Sequence, residues 1–577
     1  LMLGKIISIE GNKVKIELSI DISNKVNLLN LHVAFECQDK KIIGEIISLD
    51  LKYATVMLVG EIQNNTFISG VNSKPSFASS IRVINKNELE LITDSSNLEY
   101  AVNFGRIPLY SNYPLNLNPE SFFSNHSCIV GNSGSGKSCA VARLLQNIFS
   151  NKIKPKTNIF IFDVFGEYHN ALANYGIINY KSYTTDRSDK TSELIKIPIW
   201  LLNVEDLALL LEIENYIQLP IIEKMLRVVT IFSKEKEEQE KCKDDIIARA
   251  ILEILYSGRQ PVQLRDQVMA ILTNFGTDTL NLETKVVVPG WTRTLKQCLQ
   301  LDKDGKIQEI QLVSEFIGRF VSSDIELDLP NGNMYYTLEN LYEALELAFI
   351  SEGALKSDAI YDKVNSIKVR LKSIIEGEFG DYFRYDHFVT KEEYIESLNN
   401  NGENQIVNFN INSITDRQAK IIIKVLSKMF LEYSFRVELR ASKPIHIFIE
   451  EAHRYVQNDN DVKLIGYNIF EKIAKEGRKY GVILCLITQR PSELSDTTMS
   501  QCSNYIILRL INPNDISYVR KIVPNVTEEM LDKIKSLQPG FSLMFGSAFK
   551  VPIVVKFDLP NPRPYSDSIH IKETWYK

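Results

Sequence analysis

Gly131-Asn132-Ser133-Gly134-Ser135-Gly136-Lys137-Ser138 fits the phosphate-binding pattern GxxxxGK[ST] at every fixed position. Its flanks agree with it. Ser127-Cys-Ile-Val130 reads as a short buried strand, and Cys139, Ala140, Val141, Leu144, Leu145, Ile148 and Phe149 recur at helical spacing downstream. Strand, glycine loop and helix is the context in which the pattern works. The glycines let backbone N–H groups turn inward around phosphate oxygens, and the helix N-terminus adds partial positive charge. Residues 131–139 are therefore the expected nucleotide-binding segment, from Gly131 through Cys139. Lys137 is placed to reach the β- and γ-phosphates, and the Ser138 hydroxyl to ligate Mg²⁺.

A second half of the site lies far downstream. Ile445-His-Ile-Phe-Ile449 is a β-rich apolar run that ends in Glu450-Glu451-Ala-His453. Parallel sheets bind ligands at the carboxyl ends of their strands, so acids there are delivered beside the glycine loop. Glu450 is read as the Mg²⁺ acid and Glu451 as the group that polarises the attacking water. Val482-Ile-Leu-Cys-Leu-Ile-Thr488 is a third buried strand with Gln489-Arg490-Pro491 at its end. A glutamine in that place can hydrogen-bond the attacking water or the γ-phosphate and report nucleotide state.

The chain has 577 residues, which suggests about three or four domains or large insertions. With 44% apolar and 24% charged residues, the composition is that of a soluble globular protein. No run of about eighteen apolar residues and no signal-like opening is found, so no membrane association is expected. The seven cysteines include no C-x-x-C pair and the seven histidines form no ligand-spaced cluster, which argues against structural zinc and for a reducing, cytoplasmic setting. A net charge of −6 excludes general coating of nucleic acid and leaves room for a local basic channel.

Short strands at Lys5–Ile9, Lys13–Leu18, Val33–Phe35, Lys41–Ile47 and Thr55–Val59, with turns at Gly11-Asn12 and Asp39-Lys40, predict a small N-terminal β-barrel. Residues 95–125 read as an irregular connection, and Asn158-Ile-Phe-Ile-Phe162 as a strand ending in Asp163-Val-Phe-Gly166-Glu167-Tyr168. About 310 residues separate the two nucleotide motifs, too many for a minimal core. Between about Val204 and Glu376 the apolar period is helical, with the charged run Lys234–Asp245 read as an exposed junction between helices. Asn404-Gln-Ile-Val-Asn-Phe409 returns the chain to the sheet, and Pro560, Pro562 and Pro564 mark an extended C-terminal arm. The expected domains are a barrel (1–95), a first core segment (96–203), a helical insertion (204–385), a second core segment (386–557) and the arm (558–577).

Taken together, the GNSGSGKS loop, Asp163–Tyr168, the helical insertion, Glu450-Glu-Ala-His453, Glu476-Gly-Arg-Lys-Tyr-Gly481, Thr488-Gln-Arg-Pro-Ser492 and the closing Pro-Arg-Pro (562–564) resemble the HerA family of the HerA–FtsK superfamily. The resemblance covers most of the chain. It implies an α/β fold, a RecA-like P-loop core with an inserted helical subdomain and an N-terminal barrel. It also implies a homo-hexameric, ATP- and Mg²⁺-dependent motor that encloses double-stranded DNA and works with a nuclease or another effector, in DNA end processing or antiviral defence. Lys137 and Ser138 match the family's phosphate and Mg²⁺ residues, Glu450 and Glu451 its Walker B acids, and Gln489 its sensor. Arg478 falls where relatives place an arginine that completes the ATP site; a cation at a helix C-terminus is the other reading of it. Lys363, Lys368, Arg370 and Lys372 lie in a helical stretch whose charges read as a solvated face. The alternatives are an ATP-dependent scaffold that activates an effector, a peripheral secretion or conjugation ATPase, and a superfamily-two helicase. The last is suggested only by the Glu-Ala-His triplet.

Overall fold

The computed structural model describes residues 2–19, 28–37, 39–95, 98–151, 153–322, 325, 327–351, 358–523, 527–566 and 575. The chain forms two compact units, one of residues 1–193, 395–459 and 468–577 and the other of residues 194–394 and 460–467.

A twelve-stranded mixed sheet organises the first unit. Seven parallel strands occur in the order Tyr180–Thr184, Ile406–Asn410, Ile159–Asp163, Ile445–Ile449, Val482–Thr488, Ser127–Val130 and Asn504–Leu508. Most are buried along their whole length, as strands covered on both faces must be, and so read as continuous apolar runs. Alternate side chains of Ile159–Asp163 serve the two faces. Ile159 and Ile161 pack with Ala140, Val141, Leu144 and Leu145 of the helix Lys137–Phe149. On the other face Phe160 meets Phe430 of the helix Asp416–Arg436 with ring centroids 4.3 Å apart. That long helix starts at a capping box made by Thr415 and Gln418.

Beyond Asn504–Leu508 the sheet continues antiparallel through Phe541–Gly546, Phe549–Lys556, Val102–Ile107 and Tyr113–Leu117. The irregular connection expected at 95–125 is thus corrected, because the last two strands of the sheet run through it. A register shift between Asn103 and Gly105 breaks the alternation that would have revealed them. Gly105 has φ +125°, and a Cβ there would sit 2.6 Å from the Lys556 carbonyl oxygen, so the close strand approach requires glycine.

Residues 4–83 contain seven antiparallel strands in one sheet, with Val14, Ile16, Val33, Phe35, Ile42, Ile46, Val56 and Ile81 in its core. The Leu3 amide donates to the Ile81 carbonyl at 2.8 Å, linking the start of the first strand to the last.

The second unit is mostly helical. Its longer helices are Leu219–Val229, Lys236–Leu255, Pro261–Phe275, Leu338–Ser351 and Asp358–Glu376, and it also carries a hairpin, Lys285–Val288 with Trp291–Thr294. The buried Trp200 indole donates to the Val389 carbonyl at 2.9 Å, and the Ile197 amide to that of Tyr382 at 2.7 Å, tying together the two ends of its 194–394 segment. The run Lys234–Asp245 is not a junction. All but its first two residues make the first half of a twenty-residue helix in which Asp244 and Asp245 are buried, Asp245 pairing with Arg249 at 3.0 Å. Glu and Lys are good helix formers, so charge density hid a helix rather than interrupting one. Lys368, Arg370 and Lys372 pair with Glu346, Glu214 and Glu376, while the Lys363 side chain lies outside the described residues. Among the described residues no helix is long and apolar enough to cross a membrane.

Candidate nucleotide site

Sheet register brings the separated motifs together. Val130 lies beside Thr488, so the loop leaving at Gly131 emerges next to Gln489. Ile449 lies beside Leu486 and Phe162, which sets Asp163, Glu450 and Glu451 at the same edge. Gly134 and Gly136 have φ +71° and +97°, conformations that side chains rarely adopt, and Gly136 caps the helix Lys137–Phe149. A Cβ on Gly131 would meet Leu508 Cβ at 2.8 Å. The Ser135 hydroxyl donates to the Asn132 carbonyl at 2.7 Å, and the Asn132 side chain accepts the Ile511 amide at 2.9 Å. Lys137 Nζ donates to the carbonyls of Gly131 and Asn132 at 2.8 and 3.3 Å, folding the cation back over the loop it serves.

Three carboxyls stand near that lysine. Burial pushes the Lys137 ammonium down, and Glu451, Glu450 and Glu167 push it back up. Glu450 is buried. Tyr168 donates its hydroxyl to Glu450 Oε1 at 3.4 Å, whereas Oε2 has no partner. Burial above all, then Asp163 and Glu167, raise the Glu450 carboxyl well above the usual carboxylate range. Asp163 is raised by burial too, although it accepts the amides of Glu167 and Tyr168, each at 3.0 Å. Burial also raises Glu167 against the Ser138 hydroxyl that hydrogen-bonds it, and Glu167 Oε2 is buried without a partner. Orphaned carboxylate oxygens beside the Ser138 hydroxyl suit a hard cation. No group of three acidic, His or Cys side chains among the described residues could hold a metal unaided. Mg²⁺ fits such a set, because it takes one or two protein oxygens and completes its shell with phosphates and water.

Glu451 adopts φ +46° and ψ 43°, a left-handed conformation that costs about 1–2 kcal/mol for a non-glycine residue. The turn carries its carboxylate to the end of the neighbouring strand. There Gln489 Nε2 donates to Glu451 Oε2 at 3.1 Å, and His453 Nδ1 stands 3.2 Å from the same oxygen and 3.1 Å from Thr488 Oγ1. Burial lowers the His453 pKa although Glu451 opposes the shift, which favours the uncharged ring beside that carboxylate. Beside this end of the loop a polar cleft of about 420 Å³ is lined by Asn132, Ser133, Gln489 and Arg490 among others.

The structure therefore gathers Gly131 to Cys139, Glu450, Glu451 and Gln489 at one edge. It does not bring Arg478 there. Arg478 donates to Asn125 Oδ1 at 2.9 Å, at the amino end of the strand whose carboxyl end leads into Gly131. The adjacent strand Val482–Thr488 spans about 20 Å at 3.3 Å per residue, well beyond an arginine's reach. Asp163 and Glu167 join the site from the Asp163–Tyr168 segment, where the sequence assigns them no individual role. Their position after an apolar strand is the same signal that identified Glu450. Through Ser566 the C-terminal segment lies on its own chain, with Gln146 Nε2 donating to the Pro562 carbonyl at 3.0 Å. Beyond Ser566 the described residues include only Trp575.

The family model "Helicase HerA, central domain" matches residues 102–430. "Probable helicase MJ1565" of Methanocaldococcus jannaschii is 32% identical over 204 residues, 34% of this chain and 39% of its own length. The DNA double-strand break repair helicase HerA of Sulfolobus acidocaldarius is 27% identical, over 41% of this chain and 46% of its own. The chain thus spans less than half the length of these two relatives. HerA of Pyrococcus furiosus is 24% identical over 87% of this chain and 77% of its own. Among solved structures, VirB4 of Thermoanaerobacter pseudethanolicus has a TM-score of 0.42 at 13% identity, covering 80% of this chain and 97% of that one. The bacterial conjugative coupling protein TrwB gives 0.44 at 12%, covering 84% and 94%. Because the family match takes in more than half of the residues, including the glycine loop and Asp163–Tyr168, the chain belongs to the HerA helicase family.

Proposed function

We propose that this protein is an ATP-hydrolysing motor that translocates on double-stranded DNA as a ring of six copies. The observation that carries the reading is the Glu451 carboxylate, held by Gln489 at 3.1 Å beside Lys137 and the glycine loop. In this reading Lys137 grips the β- and γ-phosphates, and Ser138 with Glu450 holds Mg²⁺ through direct or water-mediated contacts. The ion, when bound, neutralises phosphate charge. Glu451 takes the proton of the attacking water, and Gln489 orients that water and reports whether the γ-phosphate is present. Residues 1–95 act as a small barrel, and the helical unit is an insertion between the two halves of a RecA-like core. The chain works in the cytoplasm beside a nuclease or another defence effector.

ATP hydrolysis measured with and without duplex DNA tests the reading. Stimulation by DNA of any sequence is expected, with binding that weakens by about 10³-fold or more between 50 and 200 mM salt if some six phosphates are contacted. Lys137→Ala is expected to abolish both hydrolysis and tight nucleotide binding. Hydrolysis indifferent to DNA, in a ring that still captures its effector, would favour an ATP-dependent scaffold instead. The barrel is the expected docking face, since six copies on one side of a ring give avidity from weak contacts. Deleting residues 1–95 should abolish co-purification with the effector encoded beside this gene; a hexameric deletion that still binds would place docking elsewhere.

A further inference from the structure

Along the glycine loop the nucleotide has a direction. Glu451 and Gln489 mark the γ-phosphate end, so the α-phosphate, ribose and base extend past Ser138 toward Cys139. What stands at Cys139 is the C-terminal segment. Ser566 Oγ lies 3.9 Å from Cys139 Sγ. The segment is fastened by its backbone: the Asn561 amide donates to Gln146 Oε1 at 3.1 Å, Asn170 Nδ2 donates to the Arg563 carbonyl at 2.8 Å, and the Tyr565 amide donates to the Glu167 carbonyl at 2.9 Å. None of these bonds uses the Tyr565 side chain, which is 63% exposed. A large aromatic ring is thereby carried, exposed, on a segment whose backbone is fastened at Glu167 and whose next residue, Ser566, stands at Cys139.

We infer that Tyr565 is the stacking platform for the nucleotide base, and that residues 561–566 form the base-side wall of the ATP site. The inference rests on the ATP-site reading above and adds a subsite to it. An exposed ring loses hydration when a base covers it, and every base offers a π-face, so the platform contributes affinity without choosing between adenine and guanine.

Calorimetric titration of the full chain with ADP, GDP and inorganic tripolyphosphate tests this. Tyr565→Ala keeps the amide that bonds Glu167 and should weaken ADP and GDP alike, by about 5- to 100-fold. It should leave tripolyphosphate unchanged, because that ligand has no base. Tyr565→Phe should bind all three as the parent does. Unchanged ADP affinity in Tyr565→Ala would overturn the assignment, as would an equal loss for tripolyphosphate, which would make the residue a support of the glycine loop. A parent chain that binds neither ADP nor tripolyphosphate would overturn the ATP-site reading and this inference with it.

Discussion

Replacing Glu451 by glutamine is expected to slow ATP hydrolysis by about 10²–10⁴-fold while leaving nucleotide affinity close to that of the parent. The amide is nearly isosteric. It can sit in the same left-handed turn and can still accept the Gln489 hydrogen bond that the carboxylate accepts at 3.1 Å. What it loses is basicity. A carboxylate takes a proton from the attacking water as the bond to phosphorus forms, and an amide does not. Lys137 is untouched, so the phosphates remain gripped and ATP accumulates on the protein. Phosphate release under saturating ATP, with equilibrium binding in parallel, separates the two effects. Turnover at the parent rate would transfer water activation to Glu450 or Glu167, the other carboxyls beside Lys137.

Arg478→Ala is expected to reduce hydrolysis by about 10³–10⁵-fold, the range for an arginine that stabilises charge on the transferring phosphoryl group. Arg478 is at the opposite end of the sheet from its own glycine loop, hydrogen-bonded to Asn125 at 2.9 Å. A direct role in catalysis therefore requires a neighbouring copy. Rings mixed from Arg478→Ala and Lys137→Ala subunits should regain part of the activity that neither variant has alone, because some interfaces then pair an intact loop with an intact arginine. Phosphate release across mixing ratios measures this. If mixed rings form and no ratio restores turnover, Arg478 is a structural residue that ties the end of its helical segment to Asn125.

Local chemistry made the site's parts legible. A loop that needs positive φ at Gly134 and Gly136 declares itself through its glycines, and strands buried on both faces declare themselves as unbroken apolar runs. Hence the glycine loop, the Glu450-Glu451 strand end and Gln489 are legible in the sequence. Where alternation was interrupted or charge was dense, local pattern misled. The strands Val102–Ile107 and Tyr113–Leu117 hid behind a register shift, and the helix Lys236–Leu255 behind its lysines and glutamates.

The sequence by itself determined which residues could handle phosphate, because glycine conformation, lysine charge and strand composition are properties of short segments. Only the tertiary structure decided how those segments meet. Pairing of Val130 with Thr488 and of Ile449 with Leu486 and Phe162 is set by side chains hundreds of residues apart, which no local period encodes. The same packing removes water from Asp163, Glu167 and Glu450 and so raises all three carboxyls above their ordinary range. It also sends Arg478 to the far end of the sheet and folds residues 561–566 back against Gln146 and Glu167, because long-range hydrogen bonds and burial, not composition, fix where a strand end or a proline-rich segment comes to rest.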